Sequence, residues 1–380
     1  MVGGITLALT LGLLEIGLRL FAPQISPEMR YEVLAGLFTN DAATGYRNAP
    51  GAQVRQHDSE TDTTYDINAQ GLREARLIGP PAPDTTRVLA LGDSFAFGAG
   101  VDADQTYAHL LNGIPAGDGT PLDVVNGGVD GYGTDNEAAW LTAYGWAFQP
   151  RIVLLGFFVG NDTYDNFLGL HKTYVNADRE LVESDPALRG AAAPEAETGT
   201  GLLGGPKLWL AQHSQAYVFL RGLAHAATAL FVPSHIQPVT PRPFDTAPGY
   251  YKTEPPDLAT GWTKTFAILD QMRADVAAHG ARLVIVVIPA REQVEDAAWR
   301  QMQVRFGLSE ADLERDHPQR RLAAWSTQTG TPLIDLLPGF QAAPPSPPLY
   351  FGYDIHWTAA GHALAAQLIR AGLARLGLAR

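Results

Sequence analysis

The stretch RVLALGDSFAFG, residues 87–98, combines a short apolar run with a sharp turn bounded by glycine. Its first five residues have the length and composition of a strand buried on both faces. The turn carries Gly92, Asp93 and Ser94, so a serine hydroxyl stands directly after a predicted strand. Open α/β sheets gather functional groups at the carboxyl ends of their strands. The stretch therefore predicts a parallel sheet with a site around Ser94.

Four further apolar runs repeat this strand pattern. They are LDVV at 122–125, RIVLLGFF at 151–158, RLVIVVI at 282–288 and PLIDL at 332–336. Helical patterns separate them, at 104–111, 135–146, 263–279, 313–329 and 359–376. Short apolar strands that alternate with helices predict an α/β fold, with a five-stranded parallel sheet covered by helices on both faces.

The composition excludes several classes of protein. The chain has 380 residues, of which 46% are hydrophobic and 18% charged, and this balance excludes a disordered chain. Acidic residues outnumber basic residues by 40 to 27, so we expect no nucleic-acid partner. The absence of cysteine excludes a thiol nucleophile and cysteine-based metal sites. We expect no metal and no cofactor.

The amino-terminal segment suggests contact with a membrane. Residues 2–14 carry no charge, and Glu15 and Arg19 are four residues apart, so they can pair on a helix. Residues 1–23 are therefore predicted to form a membrane anchor or an uncleaved signal, with a buried core helix as the alternative. The catalytic domain would then lie outside the cytoplasm, in the periplasm or at the cell surface.

The rest of the chain divides into an extension and one large domain. Residues 24–85 form a polar, loop-rich amino-terminal extension with an extended piece at 63–68, and residues 86–376 form the α/β domain. An insert at about 165–260 interrupts the strand–helix alternation. Within it we expect a mobile loop at 183–206, an amphipathic helix at 216–231 and an extended proline-rich segment at 232–257.

The residues at the predicted strand ends fit acyl transfer. Ser94 can act as the nucleophile and His356 as the base that removes its proton. Asp354 lies two residues before His356, and in an extended segment both side chains point to the same side, so the carboxylate can orient the imidazole. Backbone amides of Ser94 and Gly131 and the side-chain amide of Asn161 are the candidate donors to an oxyanion.

These blocks resemble those of the SGNH hydrolases, also called the GDSL esterase/lipase family. They read GDSFAFG, NGGVDGYGT, GND and DIHWTAAGH, in the family's order. The stretch INAQGLRE before the first strand is similar to members with an amino-terminal membrane segment. The resemblance implies a flavodoxin-like three-layer α/β/α sandwich, Ser94, Gly131, Asn161 and His356 as the name-giving residues, and Asp354 as the acid of the triad.

Two points stay open at this level. Many members place two residues between the acid and the base, whereas only Ile355 separates Asp354 from His356. Some polysaccharide-acetylating relatives look similar to this shorter form, and Asp335 is the reserve candidate for the acid. His362 lies six positions after His356, a spacing that does not place both imidazoles on one helix face to bind a metal.

Three functions compete. The first is a serine hydrolase that cleaves acyl or acetyl esters of small molecules or carbohydrates. The second is an O-acetyltransferase acting on cell-envelope polysaccharide, which would use the same residues with a sugar acceptor in place of water. The third is a catalytically silent binding module tethered to the membrane.

Overall fold

The computed structural model describes residues 2–21, 34–57, 60–170, 173–176, 179, 181–183, 210, 214–220, 249–352 and 354–379. The strands are β1 Phe38–Asp41, β2 Gly45–Asn48, β3 Gln53–His57, β4 Asp62–Asp66, β5 Thr86–Gly92, β6 Leu122–Asn126, β7 Ile152–Phe158, β8 Thr173–Val175, β9 Leu181–Glu183, β10 Arg282–Ile288 and β11 Leu333–Asp335. The α-helices are α1 Val2–Phe21, α2 Ser94–Phe97, α3 Tyr107–Leu110, α4 Thr134–Ala143, α5 Asp162–Leu168, α6 Pro256–Ala278, α7 Arg291–Val294, α8 Asp296–Phe306, α9 His317–Thr329, α10 Leu337–Gln341 and α11 Ala359–Arg375.

The central sheet has five parallel strands in the order β11-β10-β7-β5-β6. Every residue of β5 and β7 is buried, as the continuous apolar runs predict. This is the doubly wound order of flavodoxin-like folds, in which the connections change direction between β5 and β7. Folds of this kind place their sites at that point, beyond the carboxyl ends of the two strands.

Helices cover both faces of the sheet. One layer contains α4, α5 and α6, which pack against one another, and the other contains α3, α10 and α11. The three-layer α/β/α sandwich with a five-stranded parallel sheet is thus confirmed. The fold is SGNH hydrolase-like, as the resemblance implies.

Helix boundaries differ from the sequence prediction where local capping decides them. The helix predicted at 104–111 is two short pieces, a 3₁₀ turn at Ala103–Gln105 and α3. They are separated because the Thr106 side chain accepts the His109 N–H and so caps a new helix. Helix α6 begins at Pro256, seven residues before the prediction, because proline is well suited to a first helical position. Helix α9, by contrast, begins at His317, four residues after its prediction, with Pro318 in its first turn.

The amino-terminal extension contains two antiparallel hairpins, β1–β2 and β3–β4. Their strands are only four or five residues long and mix polar with apolar residues. Of these strands, only β4 has a counterpart in the sequence prediction, because it overlaps the extended piece at 63–68. Leu37, Tyr46 and Tyr65 of this extension are buried in the same hydrophobic core as the sheet. The extension is therefore packed onto the α/β domain.

Helix α1 spans 20 residues, so the helical part of the amino-terminal prediction is confirmed. In the part of the chain that the structure describes, no helix is both long enough and apolar enough to cross a membrane. The membrane anchor is not confirmed and stays a prediction. Glu15 pairs with Arg19 at 2.7 Å and accepts hydrogen bonds from the Ser214 hydroxyl and from the amides of Gln215 and Ala216.

Most of the predicted insert lies outside the described residues. The mobile loop at 183–206, the amphipathic helix at 216–231 and the extended segment at 232–257 are described only at their edges. Residues 215–220 are helical, and a hairpin formed by β8 and β9 precedes the undescribed part. The domain boundaries at 23, 85 and 376 stay predictions.

Candidate active site

Ser94 lies on a turn whose shape depends on Asp93 and on close backbone packing. Strand β5 ends at Gly92, and the Asp93 side chain caps α2 by accepting the Phe95 N–H at 2.9 Å. The Ser94 hydroxyl is thus not the helix cap and is available for another role. Its residue is 6% exposed. Helix α2 ends after one turn, because Gly98 adopts a left-handed conformation.

The glycine-rich loop after β6 packs directly on this turn. The Asn126 side chain donates to the Ala96 carbonyl at 2.8 Å and accepts the Gly128 N–H at 2.9 Å. A Cβ on Gly128 would come within 2.2 Å of the Phe97 nitrogen, so only glycine permits this approach. Sequence reasoning missed the part played by Asn126, although its place at a strand end was the signal that could have found it.

His356 meets Ser94 across 262 positions of sequence. Its Nε2 lies 2.7 Å from the Ser94 Oγ, inside the protein. Its Nδ1 is hydrogen-bonded to the Asp354 carboxylate, which also accepts the His356 backbone N–H at 2.9 Å. The Phe351 N–H donates to the His356 carbonyl at 3.0 Å and closes the loop. Ser94, His356 and Asp354 therefore form one hydrogen-bonded chain.

Aromatic rings hold the imidazole in place. The Phe95 ring packs against His356, Phe158 and Trp357, with centroid distances of 5.2, 4.3 and 4.9 Å. Trp357 and Phe95 are buried. Packing of this kind limits the rotamers that His356 can adopt, so its Nε2 stays directed at the hydroxyl.

The structure separates the two candidate acids. The Asp335 side chain accepts the Leu337 N–H at 2.9 Å at the end of β11, and burial raises the pKa of this carboxyl. Among the described residues, Asp354 is the carboxylate that contacts the His356 ring. One intervening residue is enough for this contact, because Asp354 reaches both the Nδ1 and the backbone N–H of His356.

The three candidate oxyanion donors lie at the ends of β5, β6 and β7. The Ser94 N–H is the first amide of α2 and so has no intrahelical acceptor. Gly131 has a φ of +79°, a conformation that favours glycine. The Asn161 Nδ2 donates one hydrogen to the Asp165 carboxylate at 2.9 Å, which orients the amide and leaves its second hydrogen for another acceptor.

Two buried carboxyls next to these residues have structural partners. Asp162 accepts the Phe158 N–H at 3.0 Å and closes the turn after β7. Burial, together with neighbouring carboxylates, raises the pKa of Asp162 well above its usual range. Burial also raises the pKa of Asp93, to about 7, although its bond to the Phe95 N–H and the charge of His356 act in the opposite direction.

The raised pKa of Asp93 predicts a pH dependence of stability. An unfolded aspartate titrates near 3.8 and the folded Asp93 near 7. Between these two pKa values Asp93 is protonated in the folded chain and ionised in the unfolded chain. The free energy of unfolding therefore falls as the pH rises from the lower value to the higher one. Asn at position 93 keeps an acceptor for the Phe95 N–H and does not titrate. Asp93→Asn should therefore flatten this dependence in urea unfolding from about pH 4 to pH 8, and equal slopes for variant and wild type would contradict the assignment.

Arg73 fixes the far end of the turn that carries Ser94. Its buried guanidinium donates to the carbonyls of Phe97, at 2.9 Å, Gly98, at 2.6 Å, and Val101. It also lies over the Tyr65 ring, 4.5 Å from the centroid. Burial lowers the pKa of Arg73 to about 10, so the side chain stays charged at neutral pH. Its position in INAQGLRE gave no indication of these contacts from sequence alone.

Arg73→Met should lower the free energy of unfolding by about 2–4 kcal/mol, because buried carbonyls would lose a charged donor. Urea unfolding at pH 7 measures the loss. Arg76→Met is the matched control, since Arg76 is exposed and pairs with Asp123 at 2.9 Å on the surface. Its loss should stay below about 1 kcal/mol. Equal losses in the two variants would show that Arg73 does not brace the turn.

His362 takes no part in the hydrogen bonds that join Ser94, His356 and Asp354. It is buried on α11, and its Nδ1 accepts the Tyr107 N–H at 3.3 Å. Burial lowers the pKa of His362 to about 3, so the ring is neutral and serves as an acceptor for the start of α3. In the part of the chain described, no group of three or more histidine, aspartate or glutamate side chains could hold a metal ion.

Part of the chain matches a known protein family. Residues 249–379, about a third of the chain, match the family described as "SGNH hydrolase-like domain, acetyltransferase AlgX". The match includes Asp354 and His356 and begins after the GDSFAFG, NGGVDGYGT and GND blocks. The sequence of residues 249–379 therefore supports a relationship to the SGNH family. No curated protein matches the chain.

Several solved structures are similar to this chain at low sequence identity. TesA is 15% identical, with a TM-score of 0.38, over 77% of this chain and 99% of TesA. Axe2, an acetylxylan esterase from Geobacillus stearothermophilus, is 12% identical, with a TM-score of 0.37, over 76% of this chain and 94% of Axe2. LAE5, an α/β hydrolase from the metagenome of Lake Arreo, is 14% identical, with a TM-score of 0.37, over 77% and 96% of the two chains. At this distance the similarity does not indicate a substrate.

Proposed function

We propose that the protein is a serine enzyme that takes the acyl group of a carboxylic ester onto Ser94. Small-molecule or carbohydrate esters are the substrate class, and water is the first candidate acceptor. The observation that carries the proposal is the hydrogen-bonded chain from Ser94 Oγ through both nitrogens of His356 to Asp354. This is the arrangement that a hydroxyl needs in order to become a nucleophile at neutral pH.

The acylation step follows from these contacts. The Ser94 oxygen attacks the ester carbonyl while the His356 Nε2 takes the hydroxyl proton. Asp354 holds the Nδ1–H, which fixes the tautomer and stabilises the imidazolium that forms. The tetrahedral intermediate collapses when the bond to the alcohol oxygen breaks and the Nε2 returns the proton to that oxygen. The alcohol leaves, and the acyl group remains on Ser94.

The second half repeats these transfers with a new acceptor. A water molecule, or the hydroxyl of a second alcohol, gives its proton to the His356 Nε2 and attacks the acyl carbonyl. Ser94 leaves and recovers the proton. In both halves the amides of Ser94 and Gly131 and the Asn161 side chain are the proposed donors to the carbonyl oxygen. One donor of this kind contributes roughly 10²–10³ to turnover.

O-acetyl transfer to a cell-envelope polysaccharide is the second candidate. Two observations favour it. The family matched by residues 249–379 is described as an acetyltransferase, and its match includes the base of the proposed triad. The single residue between Asp354 and His356 looks similar to the form found in polysaccharide-acetylating relatives. This activity would require a location outside the cytoplasm, which stays a prediction.

Product analysis separates the candidates. The purified chain is first treated with an active-site fluorophosphonate, and we expect a single adduct on Ser94 by peptide mass spectrometry. A separate, untreated sample is supplied with esters from acetyl to long acyl, with and without oligosaccharide acceptors. Acetate release that does not depend on sugar identifies a hydrolase, whereas acetylated sugar at the expense of acetate identifies a transferase. A folded protein that neither labels nor releases acid would be the silent module, and both proposals would fail.

A further inference from the structure

The amino-terminal extension reaches the proposed oxyanion loop through one hydroxyl. Tyr46 lies on β2 and is fully buried. Its hydroxyl donates to the Asp130 carbonyl at 2.8 Å, a contact that joins positions 84 residues apart. Burial raises the pKa of Tyr46 well above its usual range, so the hydroxyl stays a donor at any working pH.

The Asp130 carbonyl, which accepts the Tyr46 hydroxyl, and the Gly131 N–H, which is the proposed oxyanion donor, belong to the same peptide unit. The carbonyl of Asp130 and the N–H of Gly131 lie in one plane and point in opposite directions, because peptide bonds are planar and trans. A bond that holds the carbonyl therefore fixes the direction of the N–H. It also polarises the peptide, which makes that N–H a stronger donor.

The surroundings of Tyr46 hold its hydroxyl at this place. The ring packs edge-on between Phe38 and Tyr132, with centroid distances of 5.5 and 5.2 Å. A Cβ added to Gly131 would lie 2.7 Å from the Tyr46 oxygen, so the hydroxyl sits directly against this peptide unit. Asn48, two residues along β2, donates to the Gly128 carbonyl at 3.2 Å and ties down the other end of the loop.

We propose that Tyr46 is a positioning residue that aims and strengthens the Gly131 amide as an oxyanion donor. The inference rests on the proposed function of Gly131. It assigns part of the active site to the amino-terminal extension, which lies outside the four family blocks. Tyr46 itself touches no substrate and acts through the 130–131 peptide.

Tyr132 supplies the matched control. Its hydroxyl donates to the Tyr46 carbonyl, so it also joins β2 to the glycine-rich loop, and Tyr132 is as fully buried as Tyr46. That bond holds β2 and does not involve the 130–131 peptide. Tyr46→Phe and Tyr132→Phe each delete one buried hydroxyl and should lower the melting temperature by similar amounts. Only Tyr46→Phe should weaken the oxyanion donor.

The test compares turnover with affinity for an alkylboronic acid, which forms a tetrahedral adduct with an active serine. We expect Tyr46→Phe to lower kcat/KM by roughly 10-fold with little change in KM, and to raise the boronate inhibition constant by the same factor. This effect is smaller than that of losing a whole oxyanion donor, because the Gly131 N–H is still present. Tyr132→Phe should change both quantities less than about 3-fold. All rates are referred to the concentration of Ser94 that reacts with fluorophosphonate, so that a partly unfolded preparation does not imitate the effect.

The outcomes are distinguishable. Equal losses of kcat/KM in the two variants, or a loss below about 3-fold in Tyr46→Phe, would overturn the role of Tyr46 while leaving the proposed function intact. A wild-type chain that neither binds the boronate nor turns over esters would instead remove the proposed function itself.

Discussion

Replacing Ser94 by alanine should lower kcat for ester cleavage by roughly 10⁴–10⁶-fold, because the acyl group would have no oxygen to move to. The fold should survive this change. Asp93, and not Ser94, caps α2, so the alanine variant keeps the hydrogen bond that shapes the turn. Its melting temperature should stay within a few degrees of the wild type, because the change removes a single hydrogen bond among the described residues, the one between the Ser94 hydroxyl and His356.

The measurement is the hydrolysis of a p-nitrophenyl acetate-type ester under saturating conditions, with the release of p-nitrophenol followed from the first turnover. Ser326→Ala is the matched control, because the Ser326 hydroxyl donates to the Thr331 carbonyl before β11, at the opposite edge of the sheet. It should retain wild-type kcat. If Ser94→Ala kept more than about a tenth of the wild-type rate, Ser94 could not be the nucleophile.

The second large effect is expected from Asp354→Asn. An amide at position 354 cannot balance the charge of the imidazolium, and its N–H₂ favours the wrong tautomer of His356 when it faces the Nδ1. We expect kcat to fall by roughly 10³–10⁴-fold at pH 7, with KM little changed. Steady-state kinetics on the same ester measures the fall, and fluorophosphonate labelling should slow in parallel.

Asp335→Asn is the control for this assignment, since Asp335 is the other carboxylate that the sequence left open. Its side chain accepts the Leu337 N–H, and an asparagine oxygen can keep that bond. The variant should stay within about 2-fold of the wild-type kcat, because nothing in its contacts reaches the base. A large loss in Asp335→Asn with little loss in Asp354→Asn would transfer the role of the acid to Asp335.

The sequence predicts the sheet well because its strands are buried on both faces. Strand β10 is buried at every position after Arg282, so the apolar run in RLVIVVI gives its bounds directly, and the structure places β10 at Arg282–Ile288. The hairpins of the extension have no such signal. Strand β2 reads GYRN, in which half-buried and buried positions alternate over only four residues. Its side chains donate to carbonyls that lie 80 or more positions further along the chain.

What the sequence determined by itself is therefore the sheet and the order of its strands along the chain. It also gave Ser94, Gly131 and Asn161 as candidates after β5, β6 and β7, because parallel strands bring their carboxyl ends to one edge, and His356 as a candidate in the loop before α11. The tertiary structure alone decided which carboxylate meets the imidazole and what braces the loops. Both depend on contacts between distant segments, where a hydrogen bond exists only if two backbones approach within about 3 Å, and no local pattern records that approach.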